Sequence, residues 1–277
     1  MNPAFHRLGL LVGEEAIAVL AQKRVIVFGL GGVGSWAAEA LVRSGIGRLT
    51  IVDNDSVCVT NINRQIQALH STVGLPKSAA LLKRLLEINP QCDIAAFNNV
   101  FSRETAGIFE IEKADYVIDA IDSLSHKLDL IETAMGTSGA SEAESGPQNE
   151  RGRPRLFSSM GMACKLDPVR LKTADIWETR GCPLARLVRQ GLRRRGFTGR
   201  FTVVYSDEAL SRPEGIETVC GTSQCFCANR DSEWCSSKKA INGSAVTVTA
   251  AAGMILASLV IRDVCSRGQG LMPDSLA

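Results

Sequence analysis

The chain is almost without net charge: 31 Lys and Arg stand against 29 Asp and Glu in 277 residues. A surplus of +2 makes no global basic field, so any contact with nucleic acid has to come from a local patch. No two cysteines are spaced CxxC, and Met1 to Gly13 has no apolar core long enough for a signal peptide. Nine cysteines without a secretory signal read as reduced thiols, not as a disulfide framework. A cytoplasmic location is expected, with mitochondrial association left open. What is present is ordinary for a soluble globular protein, at 45% hydrophobic and 22% charged residues. The length allows one large domain or two small ones, at roughly 100–200 residues each.

Arg24 to Phe28 is a short apolar run with β-branched residues and reads as a buried strand. Gly29-Leu30-Gly31-Gly32-Val33-Gly34 follows, then a helical pattern from Ser35 to Arg43, then a second strand from Arg48 to Val52 that ends on Asp53. Strand, glycine turn, helix, strand and acid make the dinucleotide-type βαβ unit. Gly29 permits the tight turn, Gly31 and Gly32 let backbone approach a phosphate, and Gly34 lets the helix pack against the strand. The helix N-terminus offers unpaired N–H groups to an anion, and Asp53 can accept from ribose hydroxyls. The fold class is therefore α/β, a doubly wound and mostly parallel sheet around a Rossmann-like nucleotide site.

The residues after Asp53 argue against a dehydrogenase. Asp53-Asn54-Asp55, Thr60-Asn61-Ile62-Asn63-Arg64-Gln65 and Val73-Gly74-Leu75-Pro76-Lys77 bring an arginine and a lysine toward the phosphates. Hydride transfer has no use for them, whereas nucleotidyl transfer needs cations on a triphosphate and on the leaving pyrophosphate. Pro76 suits a first helical turn, which puts Lys77 at the positive dipole end, a poor place for helix stability and a good one for meeting phosphate. A plain helix-surface lysine is the alternative.

These segments resemble the adenylation domain of the ubiquitin-activating-enzyme-like superfamily, which includes the bacterial ThiF and MoeB proteins. Within it they are most similar to the tRNA threonylcarbamoyladenosine dehydratase branch (TcdA, CsdL). The likeness rests on Gly31 to Leu41, on Val57-Cys58-Val59-Thr60-Asn61, and on Val117-Ile118-Asp119-Ala120-Ile121-Asp122-Ser123. It covers about residues 10–265, strongly over 24–135 and patchily beyond. It implies that Asn61, Arg64 and Gln65 face ATP phosphates and the reacting carboxylate, that Lys77 joins them, and that Asp122 lies next to magnesium. It implies ATP and Mg2+ as cofactors, a tRNA substrate, a homodimer, and a sulfur-transfer or cysteine desulfurase partner as an option. An arginine on the N-terminal helix of such proteins reaches a nucleotide, often in the partner subunit, and Arg7 is the candidate on a helix expected over residues 3–23.

The rest of the chain gives weaker signals. Ser78 to Ile88 is an amphipathic helix stopped by Asn89-Pro90. A strand from Cys92 to Phe97, a helix near Arg103 to Phe109 and a strand ending on Asp119 follow. Asp119 and Asp122 fall at the carboxyl edge of the sheet, where two carboxylates suit magnesium; capping of the next helix by Asp122 or Ser123 suits the same residues. Thr137 to Pro154 has no large apolar residue and departs from the bacterial pattern as an insertion. Leu156 to Ser159 reads as a strand, and Gly161 to Pro168 resembles the family's glycine-rich turn with Cys164 where small residues are usual. Arg186, Arg189, Arg193, Arg194, Arg195 and Arg200 fall together without an acid, with Leu184, Leu187, Val188 and Leu192 as a buried face. Such a helix suits a phosphate backbone, and Arg189, Arg193, Arg194 and Arg195 are the residues expected on tRNA. Cys220, Cys225, Cys227 and Cys235 are too irregularly spaced to be a strong zinc signal. Cys235 is a candidate nucleophile if Lys238 or Lys239 lowers its pKa, and an inert thiol otherwise. Residues 244–261 carry no charge and reach the lower limit for a membrane span; a buried closing helix is the expectation.

The chain thus divides into an N-terminal helix (1–23), a nucleotide-binding core (24–135), an insertion (136–154), a C-terminal part of the same domain (155–267) and a tail (268–277). ATP-dependent dehydration of threonylcarbamoyladenosine in tRNA is the expected activity. Activation of a ubiquitin-like or sulfur-carrier protein and a non-catalytic nucleotide-binding scaffold are the rivals.

Overall fold

The computed structural model describes residues 2–136, 153–210 and 242–269. Seven strands form one sheet: β1 (Arg24–Phe28), β2 (Arg48–Val52), β3 (Asp93–Phe97), β4 (Tyr116–Asp119), β5 (Arg155–Ser159), β6 (Leu171–Asp175) and β7 (Thr202–Ser206). Their order is β3-β2-β1-β4-β5-β7-β6, and every pairing is parallel except β6 with β7. The helices are α1 (His6–Val12), α2 (Glu14–Leu20), α3 (Gly34–Arg43), α4 (Lys77–Ile88), α5 (Leu124–Met135), α6 (Pro183–Arg194) and α7 (Val246–Gln269). Chain order reverses between β1 and β4, so the carboxyl ends of those two strands open a crevice of the kind that binds ligands in doubly wound sheets.

Both faces of the sheet are buried, as a parallel sheet requires. Alternation along β1 sends Val25 and Val27 into a core with α3 and α7, and Ile26 and Phe28 into a second core with α5 and α6. In the second core Phe28, Phe101 and Phe109 meet edge to face, at ring centroid separations of 5.0 and 5.3 Å around Phe28. The apolar run ahead of the C-terminus is α7. Val248, Ala252, Leu256, Val260 and Val264 form its buried stripe at four-residue spacing. By length and composition Val246–Ser266 would suffice for a membrane span, yet it packs across α3, with Gly253 against the Val33 carbonyl and Trp36.

Several element boundaries differ from expectation. The N-terminal helix is two helices, because Gly13 at φ 87° breaks it. The helix expected at Arg103 to Phe109 is instead two short turns, Ala106–Phe109 and Ile111–Lys113, separated by Glu110 in a left-handed conformation at φ 48°. Upstream, the Thr105 hydroxyl donates to the Val100 carbonyl at 2.8 Å and accepts the Ser102 N–H at 2.9 Å, a local alternative to helical bonding. The polar connection over 54–76 is tied at its ends by a bridge between Ser56 and Pro76 and contains two short turns, Val59–Asn61 and His70–Thr72.

Candidate active site

The glycine turn follows from steric necessity. Gly29 has φ +85°, and a Cβ there would lie 2.6 Å from the Ala120 carbonyl oxygen, so both conformation and space demand glycine. A methyl group on Gly34 would overlap the Gly29 carbonyl. The Gly29 N–H donates to the Val52 carbonyl at 2.9 Å, and the Leu30 N–H donates to Asp53 Oδ2 at 2.6 Å. The turn delivers the chain into α3, whose N-terminus has no side-chain cap. Uncapped N–H groups at the positive end of a helix dipole form an anion-receptive surface.

Arg64 reaches this turn from the 54–76 connection. Its backbone carbonyl accepts the Trp36 indole N–H at 2.9 Å, fixing it to α3. Its guanidinium donates to the Thr60 carbonyl at 2.9 Å and to Asn63 Oδ1 at 3.0 Å. Its stem lies 3.2 Å from where a Cβ on Gly32 would stand, and Thr249 of α7 lies 3.1 Å from the same point. Gln65 is buried, with Nε2 on the Gly31 side of the turn. Asn61 is buried as well, and its Oδ1 accepts the Cys58 N–H at 3.0 Å. Sequence reasoning missed Gln67. Its Nε2 donates to the Leu30 carbonyl at 2.8 Å and lies 3.4 Å from Gln65 Oε1, so it holds both the turn and a neighbour of the turn. The available signal was a second amide two residues after Gln65; the chain turns there, with the Ala68 N–H on the Gln65 carbonyl at 3.0 Å.

Lys77 opens α4 and is buried among acids. Its Nζ donates to Asp55 Oδ2 at 2.8 Å and lies 3.7 Å from Asp53 Oδ1. Burial pulls the ammonium pKa down, but the carboxylates of Asp53, Asp55 and Asp122 outweigh it and hold the group above its ordinary value. Burial pushes the Asp53 carboxyl up, opposed by Lys77 and by the N–H groups of Asp55 and Leu30. Asp53 therefore serves the turn directly, in addition to the ribose role expected of it.

The two acids after β4 separate in function. Asp122 is exposed, takes no capping role on α5, and acts on Lys77. Asp119 is fully buried and paired within the protein, so it does not share the magnesium role expected of the two acids together. Its Oδ2 accepts from Lys127 Nζ at 2.7 Å and from the Ser158 hydroxyl at 2.6 Å, and its Oδ1 accepts the Ile121 N–H at 3.0 Å. Among the described residues no group of three or more His, Cys, Asp or Glu could hold a metal unaided. Asp122 with phosphate oxygens and water is a donor set that magnesium accepts.

The structure therefore gathers Gly29, Gly31, Gly32, Gly34, Asp53, Asp55, Asn61, Arg64, Gln65, Lys77 and Asp122 around one sheet edge. It does not gather the four arginines into one cationic face. Arg189 donates to the Thr179 hydroxyl, Arg193 stacks 5.4 Å over the Trp177 ring, and Arg195 pairs with Asp129 at 2.7 Å and Glu132 at 2.8 Å. The sequence stretch is free of acids, but the acids arrive from α5. Leu187, expected on the buried face, is 42% exposed, while Ala185, Val188 and Leu192 are buried. Arg7 is exposed at the opposite sheet edge, where Phe5 packs on Gly45 ahead of β2 and Asn2 bonds Gln91 ahead of β3. Cys220, Cys225, Cys227 and Cys235, with Lys238 and Lys239, lie outside the described residues.

Residues 6–271 match the ThiF family. The chain belongs to that family. A tRNA threonylcarbamoyladenosine dehydratase of Bacillus subtilis is 42% identical over 205 residues, covering 74% of this chain and 75% of the relative. The Escherichia coli protein of that description is 33% identical over 271 residues, covering 93% and 91%. The crystal structure of E. coli TcdA in complex with ATP superimposes with a TM-score of 0.75 at 30% identity, covering 97% of this chain and 96% of that one. The glycine turn and its cationic neighbours lie within the part of the chain that the family match covers.

Proposed function

We propose that this ThiF-family protein is an ATP-dependent tRNA threonylcarbamoyladenosine dehydratase. The observation that carries the reading is the convergence of an uncapped helix N-terminus, Arg64 and an acid-clamped Lys77 on one glycine turn. This is equipment for holding and cleaving a triphosphate, and relatives spanning most of the chain bear that activity in their names.

In the first step a carboxylate oxygen of the threonylcarbamoyl group attacks the α-phosphorus of ATP. The α–β anhydride bond breaks, and pyrophosphate leaves with its electron pair. A nucleophilic atom of the same group then attacks the acyl carbon, AMP departs with the former carboxylate oxygen, and one proton is released. The sum converts ATP to AMP and pyrophosphate and removes one water from the nucleoside. The protein activates and positions, because the second nucleophile is already in the substrate. The N–H groups of the turn and α3 orient the phosphates, and Arg64 and Lys77 offset the charge that develops on them. Asp53 fixes the turn and is placed for a ribose hydroxyl. Asp122 would hold a magnesium ion together with phosphate oxygens, and that ion would add further charge neutralisation. Arg7, at the far edge of its own sheet, is assigned to the nucleotide site of a second copy, which supports a homodimer. A sheet of five-residue strands is about 17 Å from edge to edge, too far for Arg7 to serve its own site.

The test is ATP consumption by the purified protein with unmodified tRNA, threonylcarbamoyl-modified tRNA and a Gly-Gly-ended carrier protein in parallel, with tRNA digests weighed by mass spectrometry. Turnover with loss of one water from the modified tRNA alone is the expected result. Adenylation of the carrier alone would transfer the protein to the carrier-activating class, and ATP binding without turnover on any of the three would make it a scaffold.

A further inference from the structure

Helix α6 has two ends that differ in place and in charge state. Its N-terminal end lies at the carboxyl edge of the sheet: Gly161, just after β5, packs against Leu184 and Cys182, and Gly181 packs against Asp207, just after β7. Its C-terminal end lies at the opposite edge. There the chain runs from Arg195 into the start of β7, and Trp177, just after β6, donates to the Gly199 carbonyl at 3.0 Å. At this far end Arg195 is occupied by Asp129 and Glu132 and Arg193 by the Trp177 ring, while Arg194 is exposed with no ion pair among the described residues. Arg200 lies 3.8 Å from Glu178.

At the carboxyl edge the balance is different. Arg180 and Arg186 are exposed, and neither is within ion-pair distance of an acid among the described residues. Nearby, Arg170 and Lys172 share one acid, Asp207. Glu208 is occupied by the N–H groups of Leu166 and Asp167 at 2.9 and 3.0 Å. Among the described residues this edge therefore carries four cations, Arg170, Lys172, Arg180 and Arg186, against three acids, Asp167, Asp207 and Glu208, a small positive surplus. The strand order places it on the same side of β1 as Asp122, and Asp53 lies on the other side with β2. With the ribose at Asp53, the phosphates and the incoming carboxylate point toward β4, and β5, β7 and β6 extend a shelf beyond it.

We infer that the tRNA backbone lies on this shelf, with its phosphates on Arg180 and Arg186, and that Arg193 and Arg195, already held within the protein, do not contact it. The inference rests on the tRNA reading above and gives that substrate a docking surface. Arg180 and Arg186 serve a polyanion better than Arg193 and Arg195, because neither has to leave an existing partner. Each phosphate neutralised steepens the fall of log affinity with log salt by about 0.7 to 0.9.

The experiment is binding of labelled threonylcarbamoyl-modified tRNA across 50–300 mM KCl to the full chain and to three variants: Arg180→Ala with Arg186→Ala, Arg180→Glu with Arg186→Glu, and Arg193→Ala with Arg195→Ala. Melting temperature confirms that each variant is folded; both substituted residues at the shelf are exposed, so no core contact is removed. The alanine pair at the shelf should reduce the salt slope by about 1.5 and weaken binding about 10- to 30-fold at 0.15 M salt. The glutamate pair should weaken it further, and the far-end pair should keep the wild-type slope. A shelf pair with wild-type slope, or a far-end pair with a reduced one, overturns the inference while leaving the tRNA reading intact. A wild-type protein that retains no tRNA at any salt overturns both.

Discussion

Two lysines lie buried against aspartates at the carboxyl edge of this sheet, and their surroundings differ in one respect. Lys127 and Asp119 are both 0% exposed, and their hydrogen bonds close on protein: Lys127 also reaches Ser158 at 3.3 Å and the Ser159 carbonyl at 3.1 Å. One cation meets one anion, and polar neighbours absorb the remainder. Lys77 is nearly as deeply placed, but it faces Asp53, Asp55 and Asp122, and Asp55 is 35% exposed. Three carboxylates to one ammonium is an unbalanced set, and it is open on one side. The balanced pair belongs to the framework: through Asp119 and the Ile121 N–H it fixes the corner that carries Asp122. The unbalanced set is the one we propose for the chemistry, since its surplus negative charge leaves room for a cation that arrives with the phosphates.

The comparison predicts that removing each lysine fails differently. Lys127→Met leaves Asp119 charged, buried and short of its cation, and should cost about 3–5 kcal/mol in urea unfolding. Lys77→Met should act mainly on rate, slowing adenylate formation about 10²- to 10³-fold as loss of one charge-stabilising donor does. Its stability loss should be smaller, because water reaches Asp55. Equal unfolding losses for the two variants would break the comparison. Ser158→Ala sharpens it: losing one hydrogen bond to a buried carboxylate should cost about 2 kcal/mol, with pyrophosphate release by the folded protein within threefold of wild type. A hundredfold loss of rate there would move the sealed pair into the catalytic set.

How much of this could be read from the sequence divides along the same line. The glycine turn, Asp53, Arg64 and Lys77 were legible because they sit in one contiguous stretch whose spacing states the geometry. The fold followed from it, since β1, α3 and β2 set the order that later strands extend. Asp119 was misread because its meaning depends on Lys127, across a strand-to-helix corner, and on Ser158, in the next strand. The setting of Arg195 was hidden for a related reason. Asp129 and Glu132 neutralise Arg195 from a different helix, and a stretch without acids in sequence is not one without acids in space. The helix expected over residues 3–23 failed locally, at Gly13, where the fold uses φ 87°.

The smallest effect concerns pH and isolates Lys77. Its ammonium is held above the ordinary value of 10.5, so the folded chain binds that proton more tightly than the unfolded chain. The resulting stability is complete below pH 10.5 and is lost as pH rises through the higher folded value. Asp53 has the opposite consequence. Burial raises its pKa above 3.8, so its ionised form weakens the fold, and protonation relieves that as pH falls toward 3.8. Urea midpoints of wild type and Lys77→Met should therefore differ by a constant amount between about pH 7 and pH 10 and converge above it. The variant also removes the charge that lowers Asp53, so its acid-side relief should begin at a higher pH than in wild type. A gap that persists unchanged to about pH 11.5 would mean that Lys77 contributes by packing and not by charge, and the distinction between a balanced and an unbalanced cluster would lose its physical basis.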